Sequence, residues 1–172
     1  MNDFWQPSCS LDALRQRAQL LRTLREFFVA RDVLEVQTAT LGSRTVTDVA
    51  IESLRVRDGA FLQTSPEYQL KRLLAAGAPS LYQLGPVFRA GEAGRLHNPE
   101  FTLLEWYRIG FDHLQLMAEV TELVDLVLES RLRGGPEERR RALQLGTLWT
   151  PGERFVADDR AVCQADHRLV DR

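Results

Sequence analysis

The chain has 172 residues, 44% hydrophobic and 27% charged, with a formal net charge of -2. That length suits one domain with a real core, and the near-neutral balance lacks the global field of a general nucleic-acid binder. The two cysteines, Cys9 and Cys163, stand at no metal-like spacing, so the pattern points to neither a zinc site nor a disulfide scaffold, and two thiols in a reducing compartment are the simpler reading.

The first ten residues, MNDFWQPSCS, lack the basic start and apolar run of a secretory signal. No apolar run approaches a membrane span, so a cytoplasmic location without membrane contact is expected. Residues 11–31, LDALRQRAQLLRTLREFFVAR, predict an amphipathic helix in which Leu14, Ala18, Leu21, Leu24 and Phe28 recur at helical spacing. Ser10 is its expected N-cap, and Asp12 suits the positive end of the helix dipole. Val33 to Leu41, VLEVQTATL, is rich in β-branched residues and predicts a strand, with another around Ala60 to Thr64.

TSPEYQLKRLLAAG then marks a short helix, with Ser65 as cap, Pro66 in the first helical position and Gly77 at the end. Leu81 to Phe88 and Phe101 to Arg108 read as two strands joined by a Gly-rich loop, a long hairpin with a polar tip. Asp112 to Arg133 predicts a second amphipathic helix: Asp112 and Gln115 have capping-box spacing, and Leu116, Val120, Leu123, Val127 and Ser130 trace one side. At Gly134-Gly135-Pro136 the character changes, and residues 134–172 carry only short, ambiguous periodicity.

The hairpin carries the chemistry. In an extended Phe101 to Arg108 segment, Phe101, Leu103, Glu105 and Tyr107 share one face, and Thr102, Leu104, Trp106 and Arg108 share the other. A ring, a carboxylate and a phenol make poor core and good pocket material. A buried carboxylate needs a cation or donors, so Glu105 either pairs with an arginine of the fold or awaits a cationic ligand. On pattern alone the structural ion pair is the favoured alternative. At the other end stand Arg89, Arg95 and His97, with Gly91 and Gly94 allowing close backbone approach. Arginine binds phosphate oxygens through a planar fork, yet the chain has neither a Walker loop nor a dinucleotide fingerprint. The combination suits a nucleotide beside an amine-bearing substrate. His113 and His167 read as surface residues, and Ser65 as a cap rather than a nucleophile.

Three segments, in order, resemble motifs of the class II aminoacyl-tRNA synthetases in their lysine branch. RDVLEVQTATL resembles motif 1, TSPEYQLKRLLAAG the substrate-side helix, and FR followed by a loop and HNPEFTLLEWY resembles motif 2. The resemblance implies an α+β fold, an antiparallel-sheet catalytic core with flanking helices over residues 1–133. Within that branch three details are similar to the paralogues that acylate a lysine of elongation factor P instead of charging tRNA. WQPS leaves no room for an OB-fold, TVTD follows motif 1 where the synthetases tend to carry a Gly-rich stretch, and SPEY and LEWYR match the paralogues.

The implied reaction uses ATP to activate lysine or (R)-β-lysine as an acyl-adenylate. By motif match Arg89 holds the α-phosphate as the catalytic residue and Phe101 stacks on adenine. Asn98, with the backbone of Ala90 and Gly91, lies near the base, and His97 reaches the outer phosphates. Ser65, Pro66 and Glu67 line the amino-acid pocket, with Glu67 taking an amino group, and Glu105 and Tyr107 receive the side-chain ammonium. Mg2+ is implied by the family, but the sequence offers no ligands for it. A homodimer through motif 1 is implied as well.

Three departures qualify the expectation. Ala39 stands where motif 1 normally ends in proline, and Gly91 stands where motif 2 usually has glutamate, with Glu92 next. Nothing in residues 134–172 resembles motif 3, so that tail is expected to be unrelated sequence, as a frameshift or truncation leaves. A non-catalytic remnant and a fragment of a lysyl-tRNA synthetase are the alternatives.

Overall fold

The computed structural model describes residue 7, residues 9–94 and residues 97–131. The expected tail from 134, with Cys163 and His167, lies outside the described residues, as does Arg95.

Helix α1 is Leu11–Val29, and Ser10 begins it as its sequence position implies: Oγ accepts the Ala13 amide at 3.1 Å. Its buried side is Leu20, Leu24, Phe27 and Phe28. That corrects the periodic line, because Leu14 and Ala18 are exposed. The sheet and the second long helix meet the C-terminal half of α1, where two adjacent phenylalanines offer the most apolar area.

The expected strand over Val33 to Leu41 is two short ones, β1 at Leu34–Glu35 and β2 at Leu41–Gly42. The reason lies in the backbone donors. The Val36 amide still reaches the Tyr82 carbonyl at 2.9 Å, but the Thr38 amide goes to the Gln83 side chain. The ladder stops where a side chain takes its hydrogen bond. Strand β3, Phe61–Leu62, pairs antiparallel with β2.

Helix α2 is Glu67–Ala75, one residue later than expected, so Pro66 sits at the N-cap position and Ser65 Oγ receives the Glu67 amide at 3.2 Å. Gly77, at φ +91, ends it: its amide bonds the Leu74 carbonyl and that of Ala78 the Leu73 carbonyl, the Schellman pattern that a left-handed residue permits. Strands β4 (Leu81–Phe88) and β5 (Glu100–Tyr107) form the expected hairpin. They pair antiparallel from Leu81↔Tyr107 to Phe88↔Glu100, and β1 adds to β4 in parallel, so the three-stranded sheet is mixed. Helix α3 is His113–Arg131. Its capping box is reciprocal, with the Gln115 amide on Asp112 Oδ1 at 2.8 Å and the Asp112 amide on Gln115 Oε1 at 2.9 Å.

Helices α1 and α3 cover one face of the sheet. Tyr82 and Leu104 of β4 and β5 join Leu24, Phe27, Phe28, Leu123 and Val127 there, with Leu84 and Trp106 packed against them. Phe28 stacks on Tyr82 at 4.3 Å between centroids. Burial, with a hydrogen bond to Glu35 second, drives the Tyr82 phenol well above its ordinary range.

One buried charge joins the helices to β5. Glu119 is only 5% exposed and lies 3.2 Å from Arg108 and 3.8 Å from Arg31. It also accepts from the Trp106 indole at 3.0 Å, and Arg108 reaches the Arg31 carbonyl at 3.2 Å. Removing one partner of such a network leaves buried charge uncompensated. Glu119→Ala is therefore expected to lose about 3 kcal/mol of stability, and Asp12→Ala, on an exposed pair with Arg15, less than about 1 kcal/mol. Urea denaturation of both variants checks the contrast.

Candidate active site

The face of the hairpin turned away from α1 and α3 carries Gln83, Gly85 and Val87 on β4, and Phe101, Leu103, Glu105 and Tyr107 on β5. Residues directly opposite in an antiparallel pair share a face, and the register sets Gln83 against Glu105, Gly85 against Leu103 and Val87 against Phe101. The expected grouping of Phe101, Leu103, Glu105 and Tyr107 on one face is what this register produces.

At the inner end, Glu105 has two neutral partners. Ser65 Oγ donates to Oε2 at 2.8 Å, and the Tyr107 hydroxyl donates to Oε1 at 2.9 Å. Ser65 thus does double work: it caps α2 through the Glu67 amide and presents its proton to Glu105. No arginine or lysine forms an ion pair with Glu105 among the described residues. The structural ion pair favoured on pattern alone is replaced by hydroxyl donors, because the nearest buried arginine on β5's sequence, Arg108, turns to the opposite face and pairs with Glu119.

Glu67 stands at the start of α2 behind Ser65, and its carboxylate holds the Lys71 ammonium at 2.6 Å. That hydrogen bond, and then the Glu67 charge itself, raise the Lys71 pKa, and Glu105 adds a smaller pull in the same direction. Pro66 is buried between them. A cavity of about 330 Å³ opens beside Glu67 and Tyr68, with Val46, Thr47, Asp48 and Ile51 on its other side. It brings the Thr45 to Asp48 segment next to α2, where Thr47 Oγ1 and the Tyr68 hydroxyl lie 3.0 Å apart.

At the outer end, Arg89 is largely buried, with its guanidinium 4.9 Å above the Phe101 ring centroid and Nη1 3.6 Å from Glu92. Nε donates to the Thr64 carbonyl at 3.4 Å. Phe101 is packed with Val87 and Leu103, so the ring is a floor beneath Arg89 rather than an open platform. The backbone here is already committed: the Arg89 amide bonds the Pro99 carbonyl at 2.8 Å and the Ala90 amide the Glu52 carbonyl at 2.9 Å. Gly91, at φ +75, turns the chain where an L side chain is strained. His97 is exposed beside the tip, bridged to Gly94, and Asn98 follows half-buried.

The structure therefore brings Ser65, Pro66, Glu67, Glu105 and Tyr107 together at one end and Arg89, Ala90, Gly91 and Phe101 at the other, with His97 and Asn98 on the returning arm of the tip. Among the described residues, no group of three or more His, Cys, Asp or Glu side chains converges to hold a metal ion. No described helix is long and apolar enough to cross a membrane.

The family model of the class II tRNA synthetases (D, K and N) matches residues 5–150. The elongation factor P--(R)-beta-lysine ligase of Vibrio cholerae serotype O1 is 50% identical over 147 residues, which is 80% of this chain and 44% of that protein. The ligase of the same name from Pseudoalteromonas translucida is 51% identical over 136 residues, 74% of this chain and 42% of that protein. In Photorhabdus laumondii the figures are 49% over 134 residues, 73% and 41%. The chain spans less than half the length of these curated relatives.

A carboxylate held by neutral donors carries a desolvation cost that no ion pair offsets. Glu105→Gln keeps the shape and removes the charge, so it is expected to leave stability unchanged or raise it by up to about 1 kcal/mol. A structural ion pair predicts the opposite, a loss of about 3 kcal/mol or more, and thermal or urea unfolding separates the two.

Proposed function

Because the chain belongs to the family of class II tRNA synthetases (D, K and N), we propose that its hairpin face binds ATP and activates the carboxyl group of lysine or (R)-β-lysine. The acyl group then passes to a lysine of elongation factor P, the protein for which its relatives are named. One observation carries this reading: a single strand pair presents Arg89 over Phe101 at one end and, at the other, the carboxylate Glu105, held by two hydroxyls and in no ion pair among the described residues.

In the first step a carboxylate oxygen of the amino acid attacks the α-phosphorus of ATP, and pyrophosphate leaves. Arg89 holds the α-phosphate and stabilises the negative charge that builds on its oxygens. Phe101, covered by Arg89, supports that guanidinium from below rather than stacking on adenine directly, Asn98 and the Ala90–Gly91 backbone border the base, and His97 reaches toward the outer phosphates. Ser65 and Pro66 line the amino-acid side, where Glu67 takes one amino group and displaces its hold on Lys71. Glu105 and Tyr107 take the side-chain ammonium, which converts the unpaired carboxylate into a paired one. In the second step an acceptor amine attacks the acyl carbonyl, and AMP leaves. Mg2+ belongs to the family's chemistry, and no step here is assigned to it.

A homodimer through the motif 1 segment, residues 31–41, is part of the same proposal. A tRNA partner is not.

The test is ATP–pyrophosphate exchange by the purified chain with lysine or (R)-β-lysine. Exchange that needs the amino acid, and that falls about 100-fold or more in Arg89→Ala, supports the proposal. Absence of exchange overturns the catalytic reading for this chain; ATP or lysine binding without exchange identifies it as a binding remnant.

A further inference from the structure

Gln83 faces Glu105 directly across the β4–β5 ladder, so the two side chains stand side by side on the face of the candidate site. It is 3% exposed. The Thr38 backbone amide donates to its Oε1 at 2.9 Å, and the Thr38 hydroxyl donates to the same oxygen at 2.8 Å. A backbone N–H only donates, which settles the orientation of the amide: the oxygen faces Thr38 and the nitrogen faces the other way.

Nε2 then carries two hydrogens with no hydrogen-bond partner among the described residues. It extends along the strand toward Gly85, where an added Cβ would stand 3.8 Å from it and meet nothing else within 4 Å. Gly85 is not among the glycines at positive φ, so its backbone does not demand glycine. What the missing side chain provides is open space in front of that donor. An acceptor of a ligand lying in that space can take its hydrogen bond.

We infer that Gln83 is a further substrate-binding residue, whose Nε2 donates to the carboxylate or acyl oxygen of an amino acid lying across the gap at Gly85. The inference rests on the reading of Glu105 as the ammonium site. From Glu105 to Leu103, the partner of Gly85, the strand advances about 7 Å, comparable with an extended six-carbon diamino acid. An amide N–H repels an ammonium and attracts an oxygen. Glu105 thus recognises the amine end that a diamino acid shares with a simple diamine, and Gln83 recognises the oxygen end that the diamine lacks.

Titration calorimetry of the full chain with lysine and with cadaverine, its decarboxylated counterpart, tests this. The unaltered chain is expected to bind lysine more tightly. Gln83→Met keeps length and loses the donors; it is expected to weaken lysine about tenfold and to leave cadaverine unchanged. Gly85→Ala keeps both Thr38 bonds and fills the space, so it gives the same selective loss and decides the matter if Gln83→Met does not fold. Equal weakening of both ligands, or unchanged lysine binding in the variants, overturns the inference. Glu105→Gln separates the two claims, because it is expected to weaken lysine and cadaverine alike. If it does so while the Gln83 and Gly85 variants bind lysine normally, only the role of Gln83 falls. If the unaltered chain binds neither ligand, the ammonium site and the inference fall together.

Discussion

Everything functional in this chain hangs on the register of one antiparallel pair. Strands β4 and β5 run together from Leu81↔Tyr107 to Phe88↔Glu100, and side chains alternate between two faces with a period of two. A slip of one residue would turn Glu105 and Tyr107 into the helix-covered core and bring Trp106 and Arg108 out of it. Both faces hold that register in place. Phe28, Tyr82 and Leu104 lock it from behind, while Thr38, Ser65 and Thr64 bond to Gln83, Glu105 and Arg89 from the front.

The two glutamates on either side of β5 show how the environment divides structural from functional charge. Glu119, behind the strand, lies between Arg108 and Arg31 and receives the Trp106 indole. Its charge is compensated within the chain, and its role is to fasten α3 to the strand. Glu105, in front, has hydroxyl donors and no cation among the described residues. Hydroxyls satisfy lone pairs without neutralising charge. The chain spends its arginines on the structural carboxylate and keeps the other one able to attract a positive group.

The outer end is built in the same way. Arg89 is held by the Thr64 carbonyl, the Glu92 carboxylate and the Phe101 ring, so its guanidinium is fixed in place by the chain itself. Glu92 is the residue after Gly91, where the family pattern normally has glutamate one position earlier. The structure turns it toward Arg89, with Oε1 3.6 Å from Nη1. At the inner end, Glu67 holds the Lys71 ammonium one helical turn along α2.

The sequence alone determined the elements whose signals are local. Ser10, the Asp112–Gln115 pair and Gly77 specify helix ends through hydrogen bonds between residues a few positions apart. Period-two alternation set the faces of β5 without any knowledge of its neighbours, and the motif order pointed to the family. Other features required the tertiary structure, because they depend on partners distant in the chain. The buried stripe of α1 shifted because its apolar contacts with the sheet and α3 lie in its second half. The strand expected from Val33 to Leu41 ended early because Gln83, far along the chain, takes the Thr38 amide. Nothing near Glu105 in sequence says whether an arginine reaches it; Arg108 is three residues away and faces the other side. Gln83 itself looked like an ordinary strand residue, since its position opposite Glu105 exists only once two strands have chosen their register. Local hydrogen bonds can be read from spacing, whereas the pairing of buried polar groups is decided by which surfaces the folded chain brings together.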